Sequence, residues 1–157
     1  MSEVERLHDQ LRRAFEGEAW HGPPVREVLA GVTAEQAAQH PLPKAHSIWE
    51  LVHHIAAWEA IVRRRLLGDA VKDVTTEMDW PPVRETSEAA WKHALAELER
   101  GHRELRETVG ELREERLSER VPGHEGEYSV YELVQGIVQH DLYHAGQIAI
   151  LKKGLRG

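Results

Sequence analysis

Cysteine is absent from the chain of 157 residues. Disulfides and thiolate metal sites are thereby excluded, and any metal must be held by nitrogen and oxygen, with histidine the one borderline-soft ligand on offer. Chemistry that needs a thiol must bring it from outside. Long apolar runs are missing too: none approaches the roughly 18 residues of a membrane span, and the start, MSEVERLHDQ, is acidic and has no apolar stretch. The chain therefore reads as soluble and cytoplasmic, with no membrane partner. Positive charge is scarce, 20 Lys and Arg against 27 Asp and Glu for a net charge of −7. That balance excludes the basic stripe of a nucleic-acid groove, which the short run Arg63 to Arg65 does not supply. Apolar residues are plentiful at 41%, enough at this length for one domain, residues 1–157, with a sizeable core. Histidine is plentiful as well, with 11 residues, and their positions decide whether they matter.

Serine caps followed by helical periodicity mark the long helices. Ser2 with Glu5 has the spacing of a capping box, and Val4, Leu7, Leu11 and Phe15 recur behind it, predicting a first helix over roughly 3–17. His8 on that helix reads as a rim histidine. After Gly22-Pro23-Pro24 come two short helical pieces, Val25 to Ala30 and Thr33 to Gln39, the second stopped by Pro41 and Pro43. Ser47 with Glu50 opens a second long helix that runs to about Leu67, ahead of Gly68, with Ile48, Leu51, Ile55, Trp58, Val62 and Leu66 as its stripe. Residues 69–86 carry Trp80-Pro81-Pro82 and few periodic apolar positions. They read as a loop with an anchoring tryptophan, either functional or a crossover. A third long helix places Trp91, Leu95, Leu98, His102, Leu105, Val109 and Leu112 in alternating steps of four and three. Arg113 to Arg120 is mostly a solvated charge run, and Val121-Pro122-Gly123 breaks the chain. The fourth helix lies within Tyr128 to Gly154, opened by Ser129 with Glu132. HSIWELVHHI (46–55) and YSVYELVQGI (128–137) agree at Ser, Glu, Leu, Val and Ile; an internal duplication and two similar helix starts both account for that.

In the fourth helix His140 and His144 are four apart and share a face. At about 100° per residue, Leu133, Ile137, Ile148 and Leu151 fall within roughly 80° of His140, so that face is apolar. Histidines there need partners for their ring nitrogens; a metal ion would supply one to both, and separate hydrogen bonds would also serve. On the second helix His53 points roughly 170° from the apolar stripe and His54 roughly 90°. His53 is expected in solvent, and His54 at a border from which it can turn to a neighbouring helix. His102 sits on the core face of the third helix, where hydrogen bonding is the commoner fate of a lone histidine.

The caps test whether three histidines can meet. With the second and fourth helices parallel and their caps level, His54 would miss the level of the His140 and His144 pair by about 9 Å at 1.5 Å per residue. With the helices antiparallel, His54 lies 13 residues before Leu67 and position 142 lies 13 after Ser129, so all three reach one level. Around them, Gln147, three after His144, and Glu50, four before His54, lie beside the ring positions and are candidates to orient a ring or bind substrate. Trp58, His102 and Asp141, the last roughly 100° from His140, are further candidates. Glu50 already has a role as a cap.

The stretches HSIWELVHHIAAWE (46–59), Trp80-Pro81-Pro82 and QHDLYHAGQIAILKK (139–153) together resemble the DinB/YfiT-like superfamily, over nearly the whole chain. The resemblance implies an all-α four-helix bundle of up-down-down-up type, here with short extra helices in the first connection. It also implies a divalent metal, zinc or nickel, held by one histidine of the second helix and two of the fourth, by position His54, His140 and His144. Members similar to this chain include metal-dependent thiol transferases, using bacillithiol, mycothiol or glutathione, and proteins described as metal-dependent hydrolases. A small-molecule substrate, with or without an external low-molecular-weight thiol, follows from that likeness. Three imidazoles leave a metal position open to water or substrate, the form of a catalytic site, although no catalytic residue beyond the ligands is singled out. The alternative, of a different class, is a non-catalytic metal-binding or stress-related bundle in which the ion is structural.

Opposite its histidines the fourth helix carries a second apolar set, Val134, Val138, Leu142, Ala145 and Ala149, centred roughly 160° from His140. A helix apolar on two faces is covered twice. The cover is either the short helices over 25–39 or a second subunit, and the resemblance favours a homodimer.

Overall fold

In the computed structural model, which describes residues 1–123 and 128–156, hydroxyl side chains start all four long helices. Ser2, Thr33, Ser47 and Ser129 each accept from the backbone N–H three residues on, and Glu5, Gln36, Glu50 and Glu132 reciprocate, completing four capping boxes. The four long helices are α1 (Glu3–Phe15), α4 (Ile48–Leu66), α6 (Glu88–Gly110) and α7 (Val130–Lys152). The first connection holds α2 (Val25–Leu29) and α3 (Ala34–Ala37), the second holds α5 (Thr76–Asp79), and a 3-10 turn, Glu114–Ser118, lies between α6 and α7. The described residues are all-helical, with one isolated bridge, Arg120 to Ser129, joining the approach to α7. No described helix is long and apolar enough to cross a membrane.

Two features refine the expected elements. Residues 69–86 are not wholly loop, because the Thr75 hydroxyl caps Met78 N–H and starts the four-residue α5, too short to show a period. The charge run after α6 is not wholly solvated either: Leu117 is buried, and Arg116 donates to the Leu66 carbonyl that ends α4, at 3.1 Å.

The core divides into two apolar clusters along the bundle. One is built on Phe15, Trp49, Ile55, Trp91, Leu98 and Ile148, the other on Leu11, Leu66, Leu105, Val109, Val134 and Ile137. In α4, α6 and α7 the residues between the clusters are polar and fully buried: Glu59, His102 and Asp141. Contacts on α4 and α6 advance together, from Trp49 with Trp91, through Glu59 with His102, to Arg63 with Thr108. Those on α4 and α7 run in opposite order, His54 meeting His144 and Trp58 meeting His140, as the levelling of the three histidines required.

The second apolar face of α7 is covered within the chain, which corrects the case for a second subunit on that surface. Val134 and Val138 are buried in one cluster with Val4, Leu7 and Leu11 of α1, and Ala145 in a cluster with Val25, Val28 and Leu29 of α2, which contacts α7 directly. Alanines at 145 and 149 leave room for α2 to approach, and α1 supplies the remaining cover. Leu142 is half-buried beside this packing.

Candidate metal centre

His54, His140 and His144 come together as the wheel and the caps required, each offering a nitrogen within 4.8 Å of the others. Their ring centroids are 4.9, 4.7 and 4.4 Å apart. His54 and His144 are each 6% exposed. Burial lowers the pKa of both below the ordinary 6.5, which keeps their rings neutral and their lone pairs available.

What each ring does with its other nitrogen decides which lone pair is free. His54 Nδ1–H donates to the Asp79 backbone carbonyl at 2.6 Å, and His144 Nδ1–H donates to the Gln147 side-chain oxygen at 2.6 Å. A hydrogen on Nδ1 leaves Nε2 as the acceptor. His140 turns Nδ1 toward Asp141 Oδ1, 3.9 Å away, and brings Nε2 to 3.1 Å from His54 Nε2. Each ring thus offers a nitrogen to the cluster, and two of them, His54 and His144, are oriented by Nδ1–H hydrogen bonds to oxygen, the donor set and outer hydrogen bonding that suit a metal-bound imidazole cluster; His140 Nδ1 has no hydrogen-bond partner among the described residues. The residues present fit a divalent ion of the kind imidazole prefers, such as zinc or nickel.

Asp79 was not legible as a site residue. It ends α5 and acts twice: its carbonyl fixes His54, and its carboxylate accepts from Trp58 Nε1–H at 2.7 Å. Trp80 follows and lies flat between two rings, 3.7 Å from His54 and 3.5 Å from His46. The tryptophan expected to anchor the loop therefore also roofs the histidine site. Trp58 stands beside the cluster, 6.1 Å from His140.

His53 departs from its expected place in solvent. It is half-buried beneath the second connection, where its Nε2 accepts from Trp49 Nε1–H at 3.1 Å and its Nδ1–H donates to the Pro81 carbonyl at 3.2 Å. The wheel placed it away from the cluster, and Pro81 supplies the cover that a wheel cannot show. Glu50 does not reach His54. Its carboxylate closes the α4 cap at Ser47 N–H, 2.6 Å, and meets His40 and His46 at 3.2 and 3.4 Å.

His102 is 1% exposed and stacks on Phe15 at 3.9 Å, with Nδ1 3.0 Å from Glu59 Oε1. Together with Asp141 it belongs to the buried polar layer, not to the three-histidine cluster. Burial raises Glu59 to about 8, raises Asp141 well above the ordinary carboxylate range, and lowers His102 to about 4. Glu59 could have been found from the sequence, since it lies four after Ile55 and three before Val62 and so interrupts the apolar stripe of α4.

The cluster opens in two directions. A groove of about 670 Å³ reaches His144 between Trp80, Tyr143, Gln147 and Leu151, with Lys44 at its rim. A smaller pocket of about 240 Å³ reaches His140 past Trp58 and Gly136. A larger groove between α4 and α6, about 880 Å³, contains His53 and none of the three clustered histidines.

Compared with curated proteins and with solved structures, the chain has no match. Compared with known protein families, residues 19–148, more than half of the chain and the part that carries all three clustered histidines, match one. The chain belongs to the DinB superfamily, a family of metal-binding helical proteins.

Proposed function

We propose that the protein is a divalent-metal-dependent enzyme whose ion, zinc or nickel, is held by Nε2 of His54, His140 and His144, and that its reaction is a thiol-dependent transfer or a hydrolysis. What supports this most is the convergence of three imidazole nitrogens, with the rings of His54 and His144 each turned by an oxygen on the far side. Bound there, such an ion lowers the pKa of a water or thiol and polarises a carbonyl. The chain supplies the rest. Asp79 and Gln147 hold two rings in the tautomer that presents Nε2, and Trp80 shields one side of His54 from water. Tyr143 and Leu151 give the groove beside His144 an apolar wall, while Lys44 at the rim offers a charge to an anionic substrate group. Since the chain has no cysteine, a thiol in the reaction is a co-substrate.

The openings at His140 and His144 favour an enzyme over a bundle stabilised by a closed ion. The up-down-down-up order is part of the same proposal, supported by the sequence of contact pairs along α4, α6 and α7. So is the homodimer that the resemblance implies, with its contact elsewhere than on the face of α7 that α1 and α2 cover.

The test is metal analysis of protein purified without an affinity tag, followed by titration of its nickel or cobalt form with bacillithiol, mycothiol and glutathione. A thiol that ligates the ion shifts the metal's absorption bands. A shift with one of the three supports transfer, and no shift with any leaves hydrolysis. Purified protein that takes up no divalent ion at the histidines would overturn both.

A further inference from the structure

The polar layer between the two apolar clusters is not used by the three-histidine site. We propose that Glu59, His102 and Asp141 form a second cation site, at the middle of the bundle, for a divalent ion that accepts two carboxylates and one imidazole, such as manganese or zinc. One ligand comes from each of α4, α6 and α7, and their ligand atoms lie within 4.8 Å of one another.

Unpartnered atoms argue first. Glu59 Oε2 and both carboxylate oxygens of Asp141 are buried without a hydrogen-bond partner among the described residues, in side chains that are 0% exposed. Buried polar atoms are ordinarily paired, and here they concentrate in one layer, in residues whose ligand atoms lie within 4.8 Å of one another. All three are carboxylate oxygens, which accept and cannot satisfy one another unless a proton or a cation stands between.

Charge argues second. Among the described residues, the ion-pair partners of these two carboxylates are histidines: His102 for Glu59 at 3.0 Å and His140 for Asp141 at 3.9 Å. Arg106, the nearby guanidinium, is engaged by Glu16. Two ionised carboxylates and a neutral imidazole sum to two negative charges in the core, and a divalent ion makes the group neutral, the condition under which buried charge is tolerated. The surroundings of His102 suit a ligand: Nδ1 faces Glu59, and Nε2 points toward Glu16 Oε1 at 3.7 Å, which can orient the ring from behind.

This site is separate from the three-histidine centre but touches it through one ring. His140 shows Nε2 to the histidine cluster and Nδ1 to Asp141, so an ion on Asp141 would set the orientation of His140 from behind. Tying α4, α6 and α7 at their waist is the structural consequence.

The experiment is a count of ions in metal-stripped protein whose helicity has been checked by circular dichroism, titrated with manganese and with zinc. Wild-type protein is expected to take up two equivalents. The double variant His140→Ala/His144→Ala is expected to keep one, seen with manganese as an immobilised electron paramagnetic resonance signal. That remaining equivalent should be lost when Glu59→Gln, or His102→Gln if the first does not fold, is added. If the double variant binds nothing, while Glu59→Gln alone has the stoichiometry of wild type, the layer is a proton-sharing network and the second site is refuted. Failure of the three-histidine site would show differently, as a double variant that binds as many ions as wild type.

Discussion

His53 and His54 are adjacent in the chain and do unrelated work. His53 is tied between Trp49 and Pro81 on the outer side of α4, while His54 turns Nε2 to His140. His54→Ala is therefore expected to abolish tight metal binding, and His53→Ala to leave the stoichiometry unchanged, as read by metal analysis after dialysis. Retention in His54→Ala together with loss in His53→Ala would reverse the assignment. Gln147 acts one step further out, by accepting from His144 Nδ1–H. Its replacement by Ala frees the ring to change tautomer, and metal affinity should fall by about tenfold while helicity is kept, in the range typical of groups that orient a ligand. Titration against a competing chelator measures that fall; an affinity equal to wild type would leave Gln147 as a groove residue only.

At the scale of elements, α7 is informative because it is apolar on two faces. One face carries the histidines, and the other meets α1 and α2 of its own chain. Leu142→Glu puts a charge at the edge of that packing. Stability is expected to drop by about 2 kcal/mol, read from the urea midpoint, with no change of mass in sedimentation. A variant of undiminished stability whose mass halves would show that a second subunit uses this face after all. The connection containing α5 is the other element with consequences, since one short helix delivers both Asp79 and Trp80 to the rings of α4. Its four residues carry no usable period, and their place is set by a threonine cap and by stacking.

The two clusters of the core are built from apolar side chains, so chelation is expected to lower the melting temperature while the helical circular dichroism remains. Loss of the helical signal on chelation would instead make the metal structural. The buried layer adds a pH dependence to the metal-free protein. Burial raises Glu59 from 4.5 to about 8, and the folded chain keeps a proton that the unfolded chain releases. That contribution is fully present below about 4.5 and is lost as pH rises through about 8. Asp141, raised for the same reason, works in the same direction. His102 works oppositely: burial lowers it from 6.5 to about 4, so its contribution is lost as pH falls through that window. Above pH 6.5 only the carboxylate effect remains, and metal-free protein should lose stability from there to pH 8 in urea titrations. Glu59→Gln should flatten that slope; an unchanged slope would mean that Glu59 is not the group responsible.

Helix positions could be read from the chain because their causes are local: a serine cap, a reciprocal glutamate and an apolar residue every three or four positions define α1, α4 and α7 to within a residue or two. The three clustered histidines were legible for a related reason, since a helix wheel and the distance from each cap are properties of single helices, and the likeness to a family named the same positions. Other features depend on residues distant in the chain, and periodicity carries no information about those. Asp79 reaches His54 across 25 positions, and Glu59 reaches His102 across 43. His53 is covered by a proline carbonyl, and the second face of α7 by α1 and α2. The sequence by itself determined which residues face inward on each helix. Only packing decided what each of them meets there, because a wheel fixes a direction and a contact needs a partner at the other end of it.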